Sequence, residues 1–383
     1  MAWRVLFGVV AIAIAVGSHL YVYQRLIHSV TEQRLPRLLA GLAIGVFSLG
    51  GIAARVWFRG ETAAWPLAIA FPLWLGFLLN VLMALAALDL ARAVWTARME
   101  KTRPHSPERR RFLARAAAAT AATAAGGIAS YGVFRAYEPP QVTELPIKLP
   151  GLPKALEGFT LVQLTDLHVG SVLQGRFVDA LVSRANLLKG DVVAITGDLV
   201  DGTPSQLGAF VSRLTNLQSR HGTYFVTGNH DHYSGADVWV KALEGLGVNV
   251  LRNRRVQIGA GPDSFDLLGV DDWGGLAFRN GYDLDAAARG RDRARASVLL
   301  AHQPTNLEAV AAEGIGLQLS GHTHGGQLFP GPLVAQIIWG SRAAGLSRYG
   351  DTLLYTSRGC GFIGPPMRVG SPPEIVKVVL LAG

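Results

Sequence analysis

One cysteine, Cys360, stands in a chain of 383 residues, so no intrachain disulfide can hold the fold together. A lone thiol of this kind reads as a small buried residue. Charge is scarce as well: Asp, Glu, Lys and Arg make up 16% of the residues, against roughly 25% in an average soluble domain. Apolar residues account for 50%, and mean hydropathy is +0.28. This composition excludes a disordered, collagen-like or disulfide-scaffold chain and places part of the protein outside water. Acidic residues are rarest where the chain begins. Residues 1–135 hold 5 Asp and Glu against 15 Lys and Arg, whereas the remainder holds 22 against 21. The net charge of +9 therefore belongs to the first third, which argues for membrane topology and against nucleic acid as a partner. Internal repeats and a nucleotide-type glycine fingerprint are also lacking; Gly274-Gly275 is too isolated to be one.

Four apolar stretches fill the first third. Val5–Tyr23 runs for 19 residues, Leu38–Ala54 for 17, Thr62–Leu88 for 27 and Ala116–Phe134 for 19, all without a charge. A bilayer crossing needs about 20 apolar residues, and helices of soluble domains alternate with polar faces instead. The expectation is an all-α membrane domain over 1–135 with four transmembrane helices, at 4–23, 38–58, 63–89 and 113–134. Lys and Arg in short loops mark the cytoplasmic side. Arg92, Arg98, Lys101, Arg103, Arg109, Arg110, Arg111 and Arg115 separate the third and fourth stretches, so that loop is read as cytoplasmic, together with the loop of Arg25, Arg34 and Arg37. The loop of Arg55, Arg59 and Glu61 falls outside, as does the N-terminus with Arg4 alone. The chain is then a multi-pass protein of the cytoplasmic membrane, with everything after residue 136 on the extracytoplasmic side. Arg109-Arg110-Arg111-Phe112-Leu113 also resembles the core of a twin-arginine export signal, and an ordinary positive-inside flank fits as well. Either reading exports the C-terminal two-thirds of the chain. Asp89 and Arg92 at a span end, with His19 and Asn80, are too little for a transport pathway.

A Pro-rich linker is expected over 136–155, and a second domain over 156–383. Here short β-rich runs end in polar clusters. Phe159–Thr165 leads into Asp166-Leu167-His168, Asp191–Thr196 into Gly197-Asp198, and Thr223–Thr227 into Gly228-Asn229-His230-Asp231. Ser297–Ala301 leads into His302, and Gly316–Ser320 into Gly321-His322-Thr323-His324. Helix-length patterns at Arg176–Lys189 and Ser205–Ser219 separate the first runs, and Phe265–Val270, Leu353–Thr356 and Glu374–Leu381 read as further strands. Strands alternating with helices predict an α/β domain whose crevice lies at the carboxyl ends of its strands. The set Asp166, His168, Asp198, Asn229, His302, His322 and His324 combines carboxylate, carboxamide and imidazole without thiolate, which suits Mn, Fe or Zn and not a closed structural zinc site.

In this order the motifs resemble those of the calcineurin-like metallophosphoesterases, and the wording of Gly321–Gln327 and Ser371-Pro372-Pro373-Glu374-Ile375 is similar to the membrane-associated YaeI/YkuE-like branch. The resemblance implies two mixed β-sheets packed face to face and flanked by helices. It also implies two divalent metal ions. Asp166, His168 and His324 would hold one, and Asn229, His302 and His322 the other, with Asp198 bridging. Two such cations can clamp a phosphoryl oxygen and supply hydroxide near neutral pH. His230 would stabilise the transition-state charge or protonate the leaving oxygen. Asp231 reads equally as the carboxylate that orients His230 and as a helix N-cap. Arg358 and Arg368 are candidates for substrate phosphate, though surface or structural roles fit them better. The expected protein is a membrane-anchored, metal-dependent phosphoesterase. Its substrates would be phosphodiesters or pyrophosphates, cell-envelope or lipid-linked, and its partner a lipid bilayer. The alternative is a non-catalytic sensor of phosphate ligands coupled to the membrane helices; the complete ligand set with His230 argues against it.

Overall fold

A computed structural model describes residues 2–57, 65–98, 106–278 and 281–383. Arg59, Glu61, Lys101 and Arg103 of the expected loops, and residues 58 and 63–64 of the expected spans, lie outside the described residues. The chain divides into two compact units, the first over the N-terminal helices as far as Phe134 and the second over Arg135–Gly364 and Arg368–Gly383.

The first unit is helical. Helix α1 (Ala2–Tyr23) runs into a π-helical turn, Gln24–His28, and is followed by α2 (Arg34–Trp57), α3 (Trp65–Arg98) and α4 (Pro107–Tyr137). Val22, Leu78, Val81, Leu85, Ala121 and Ala125 form its small core. Much of the remaining apolar surface faces outward, including Ile12, Ile14, Leu38, Leu42 and Val46. Helices apolar on all sides are what a hydrocarbon environment selects. Pro72 inside α3 is tolerated in such helices. Among the described residues, Ile69–Trp95 and Pro107–Tyr137, of 27 and 31 residues, are long and apolar enough to cross a bilayer. The acid at the end of the third apolar stretch is paired, with Arg25 and not with Arg92. Both guanidinium Nη atoms of Arg25 donate to the Asp89 carboxylate, which also accepts the Tyr21 hydroxyl at 2.7 Å.

The second unit holds two six-stranded sheets. One has the order β1 (Gln141–Leu149), β12 (Glu374–Ala382), β2 (Thr160–Leu164), β3 (Val192–Thr196), β4 (Thr223–Val226), β5 (Asn249–Val250). The other has the order β10 (Gly345–Tyr349), β11 (Thr352–Thr356), β9 (Leu317–Ser320), β8 (Ser297–Leu300), β7 (Asp263–Gly269), β6 (Arg254–Ala260). Both are mixed: β2 through β5 run parallel and β12 pairs antiparallel with β2, while β7, β8, β9 and β11 run parallel between antiparallel β6 and β10. The period of two along each strand builds the layers. In β3, Val192 and Ala194 face the core between the sheets, with Leu161, Phe265, Val298 and Leu317. Val193 and Ile195 face the other way, onto α5 (Gly175–Leu187), α6 (Pro204–Val211) and α8 (Ala236–Gly245) through Leu181, Leu207 and Trp239. On the outer face of the second sheet, Leu268 and Leu299 pack under α9 (Leu284–Ala288) and α10 (Leu307–Ala312). The result is a helix–sheet–sheet–helix sandwich, the expected two-sheet α/β class.

The segment expected as a linker is partly structural. Strand β1 lies within it and pairs parallel with β12 over nine residue pairs, from Gln141↔Glu374 to Leu149↔Ala382. Pro146 disguises it, yet proline is accommodated on an edge strand, and β1 is one. Helix α8 is preceded by the short α7 (Asn229–Tyr233), with Gly235 at φ 93° between them.

Candidate metal centre

Five loops converge where parallel strands of both sheets end. The loop after β2 carries Asp166 and His168, that after β3 carries Asp198, and α7 after β4 begins with Asn229 and His230. From the second sheet, the loop after β8 supplies His302 and that after β9 supplies His322 and His324. Both sheets therefore open their carboxyl ends onto one crevice. Six of the seven expected ligands fall into two clusters. Asp166, His168 and His324 offer ligand atoms within 4.8 Å of one another, and so do Asp198, His302 and His322.

Asp198 joins the two groups. Its Oδ2 lies 3.2 Å from His302 Nε2 and 3.8 Å from His168 Nε2. On one side His324 Nε2 is 3.2 Å from Asp166 Oδ1 and 3.1 Å from His168 Nε2. On the other, His322 Nδ1 is 3.3 Å from His302 Nε2. Asn229 Oδ1 is buried with no hydrogen-bond partner among the described residues.

Convergence of this kind strains the backbone. Asp166, His168, Asp198, His322 and His324 have φ of 54°, 48°, 50°, 71° and 50°, the left-handed region that residues with side chains seldom occupy. Two glycines let the carboxylates in. A Cβ at Gly321 would lie 2.2 Å from Asp166 Oδ2, and one at Gly228 would lie 2.3 Å from Asp198 Oδ1. Backbone N–H groups then fix the acids: His322 donates to both Asp166 oxygens at 3.1 Å, and His230 donates to Asp198 Oδ1 at 2.8 Å.

Neighbouring acceptors set the tautomers. The His302 Nδ1–H donates to the Thr196 carbonyl at 2.9 Å, and the His168 Nδ1–H to Asp201 Oδ2 at 3.1 Å, so both Nε2 lone pairs point into the cluster. Electrostatics match. Burial disfavours charge on His168 and His302, but Asp198, Asp201 and Asp166 outweigh it; His168 is pushed up to about 9 and His302 well above its usual range. Burial likewise opposes ionisation of Asp198, yet His302 and His168 hold its carboxyl far below the usual range. His322, by contrast, is held down at about 3 by burial and His302, and His324 is lowered by burial and Arg368. The cluster stabilises positive charge beside imidazoles kept neutral. With an orphaned amide oxygen and inward lone pairs, these residues fit divalent cations.

Asp201 is a site residue that the sequence reading did not single out. Its carboxylate receives two ring N–H groups, His168 Nδ1 at 3.1 Å and His230 Nδ1 at 2.6 Å, whose rings stand edge to face 4.8 Å apart. It takes the role of orienting His230, one of two read for Asp231. Asp231 is buried and is not an N-cap either: it lies inside α7, where Gly228 is the N-cap, and its Oδ2 accepts the Gly228 N–H at 2.8 Å while its Oδ1 accepts those of Leu199 at 3.0 Å and Val200 at 3.2 Å. Burial and Asp198 push its carboxyl up to about 7.

The two arginine candidates make structural contacts, the roles that fit them better from sequence. Arg358 spends its guanidinium on Glu374 at 3.0 Å, and its own N–H donates to the same buried carboxylate at 2.8 Å. Arg368 is 1% exposed and donates to the carbonyls of Arg358 at 2.8 Å, Ser371 at 3.2 Å, His324 at 3.3 Å and Gly361, with Nη2 3.2 Å from His324 Nδ1. It braces the His324 loop from behind. Replacing Arg368 with Leu takes a donor from each of these buried carbonyls, and a stability loss of about 3 kcal/mol or more is expected by denaturant unfolding. Cys360 is buried as expected, its thiol pushed up to about 12 by burial.

A family profile described as calcineurin-like phosphoesterase matches residues 159–326, the span from β2 to the His324 loop. The Bacillus subtilis metallophosphoesterase YkuE is 32% identical over 274 residues, which cover 69% of this chain and 93% of that protein. The chain belongs to the calcineurin-like phosphoesterase family. Two longer relatives of this family are similar to it as well. A Helicobacter pylori metallophosphoesterase is 37% identical over 253 residues, covering 65% of this chain and 66% of that protein. A Danio rerio transmembrane protein with a metallophosphoesterase domain is 37% identical over 264 residues, covering 66% of this chain and 60% of that protein. The chain thus spans slightly under two thirds of the length of these two relatives.

Proposed function

We propose that this chain is a membrane-anchored, metal-dependent phosphoesterase. It hydrolyses phosphodiesters or pyrophosphates of cell-envelope or lipid-linked substrates at a centre of two divalent cations, with Mn, Fe or Zn as the candidates. The observation that carries the reading is the pair of three-residue clusters joined through Asp198, with the Asp201-held His230 beside them. In this reading Asp166, His168 and His324 hold one cation, Asn229, His302 and His322 the other, and Asp198 both. Cations bound there supply Lewis acidity to the phosphoryl group and to the attacking water.

The chain's own groups do the rest. Asp201 and the Thr196 carbonyl keep the Nδ1 protons of His168 and His302 in place, so that both rings present lone pairs without reorganisation. His230 is half-buried at the rim, and one of its ring nitrogens lies within 4.8 Å of Asp198 and His168 ligand atoms. It faces the phosphate and passes a proton to the leaving oxygen as the phosphorus–oxygen bond breaks and water's oxygen takes its place. The apolar exterior of the helical unit, and the relative named as a transmembrane protein, support anchoring in a membrane.

Full-length protein in detergent should lose hydrolysis of bis(p-nitrophenyl) phosphate after chelation and regain it with Mn. Full turnover in metal-stripped protein overturns the reading. Sidedness has its own measurement. With Arg109, Arg110, Arg111 and Arg115 opening α4 on the cytoplasmic side, an export-dependent reporter should work when fused after residue 140 and fail near Pro104. The reverse pattern would turn the catalytic unit to the cytoplasm and make intracellular phosphate esters the substrates.

A further inference from the structure

Helix α11 (Gly331–Trp339), just past the His324 loop, has the wrong surface for water. A nine-residue surface helix normally buries one apolar stripe and exposes a polar one. Here the sequence Gly-Pro-Leu-Val-Ala-Gln-Ile-Ile-Trp has no charge, and Ala335 is its one buried residue. Leu333, Val334, Ile337 and Ile338 are 57%, 47%, 83% and 63% exposed, and Phe329 just before the helix is 42% exposed. Leu346 and Tyr349 of neighbouring β10 add 50% and 46%. Seven of the thirteen large apolar side chains exposed among the described residues of the second unit therefore fall within residues 329–349. Concentration of this kind marks a docking face.

Three observations identify what docks there. The second unit itself contains the last turn of α4, where Ala136 packs against Leu173 and Phe362, and α4 is one of the two helices long and apolar enough to cross a bilayer. Three residues, 138–140, separate that turn from β1, which makes a short tether between the unit and any bilayer that α4 enters. Residues 326–350 contain two arginines, Arg342 and Arg348, and no acidic residue, which complements an anionic headgroup layer. The face also carries Phe329, Trp339 and Tyr349; Trp and Tyr favour the membrane–water interface.

We propose that α11 and the β10 edge form an interfacial face that seats the catalytic unit on a bilayer, so that the centre acts on phosphoesters borne by lipids of that bilayer. The face is continuous with the site: the Trp339 ring lies 5.8 Å from the His322 ring, and the Thr323 hydroxyl donates to the Ala343 carbonyl at 2.6 Å. Headgroup depth and the His322 loop are thereby coupled. The substrate part rests on the membrane-anchored phosphoesterase reading, whereas the docking part is testable without activity.

Full-length Ile337→Cys protein, labelled with an environment-sensitive fluorophore, is reconstituted into vesicles of phosphatidylcholine and phosphatidylglycerol. Leu187→Cys on α5, 79% exposed, is the control, and buried Cys360 stays unlabelled. Blue-shifted emission and quenching by acyl-brominated lipid at 337, with neither at 187, are expected. Emission at 337 matching that at 187 overturns the docking face, and so does a blue shift that grows with protein concentration in detergent, which assigns the face to a second copy. The double variant Ile337→Glu/Ile338→Glu should lose about tenfold or more on a fluorogenic phospholipid diester in vesicles while keeping its rate on bis(p-nitrophenyl) phosphate. Equal rates on the vesicle substrate for variant and parent overturn the lipid-borne substrate. Quenching at 337 in a parent protein that hydrolyses neither ester supports the docking face and refutes the phosphoesterase reading alone.

Discussion

Asp198→Asn should empty the centre and reduce turnover by at least about 10³-fold, the largest effect of any single substitution in this chain. The reason lies in what its two oxygens touch. Oδ1 accepts the His230 N–H at 2.8 Å, while Oδ2 faces His302 Nε2 at 3.2 Å and His168 Nε2 at 3.8 Å. Asparagine can keep the first contact. It replaces the second with a neutral amide, which presents no lone pair to either cation if its nitrogen takes the Oδ2 position. The negative charge shared by both clusters disappears, and the raised affinities of His302 and His168 for positive charge go with it. Metal content by mass spectrometry and turnover on a generic diester check this together. Retention of both metals with near-parental turnover would remove Asp198 from the bridging position.

Some parts of the molecule were legible because local pattern and chemistry coincide there. The runs that became β2, β3, β4, β8 and β9 are short, built largely of aliphatic, aromatic and β-branched residues, and each ends in a polar cluster at its carboxyl end. Strand β1 was hidden because Pro146, Pro150 and Pro153 imitate a linker, and what makes it a strand is distant: the ladder to β12, more than 200 residues away. Helix α11 was missed because Gly331 and Pro332 before an apolar run broken at Gln336 resemble neither an amphipathic helix nor a clean strand. Arg368 carries no local signal at all. A guanidinium that satisfies the carbonyls of several loops is recognisable only once those loops meet, and from sequence it looks like any arginine near a phosphate site.

Asp201 is the instructive omission, since the spacing Asp198-x-x-Asp201 was present to be read. A histidine that ligates through Nε2 needs an acceptor at Nδ1, and so does a histidine that handles a proton. No acceptor was read for His168. Asp231, directly beside His230 in the chain, drew the role by proximity in sequence. The short α7 turns its carboxylate back toward the N–H groups of Gly228, Leu199 and Val200 instead.

His230→Ala should lower turnover by about 10²–10⁴-fold while leaving metal content nearly unchanged, because His230 handles charge and a proton and is not counted among the ligands. Asn229→Ala, one residue earlier, should instead lose one cation. Asp201→Asn should sit between these extremes. Its amide keeps one acceptor oxygen for two ring N–H groups, at His168 and His230, so one histidine loses its orientation. A drop of about 10–100-fold is expected for a group that acts through its neighbours. The double variant separates the two routes. If Asp201 works through His230, adding Asp201→Asn to His230→Ala should cost little further turnover, and the single effects should not add. If it works through His168, the double variant should lose metal that His230→Ala retains. Equal loss of metal in His230→Ala and Asn229→Ala would make His230 a ligand and overturn the division of labour on which the proton-transfer role depends.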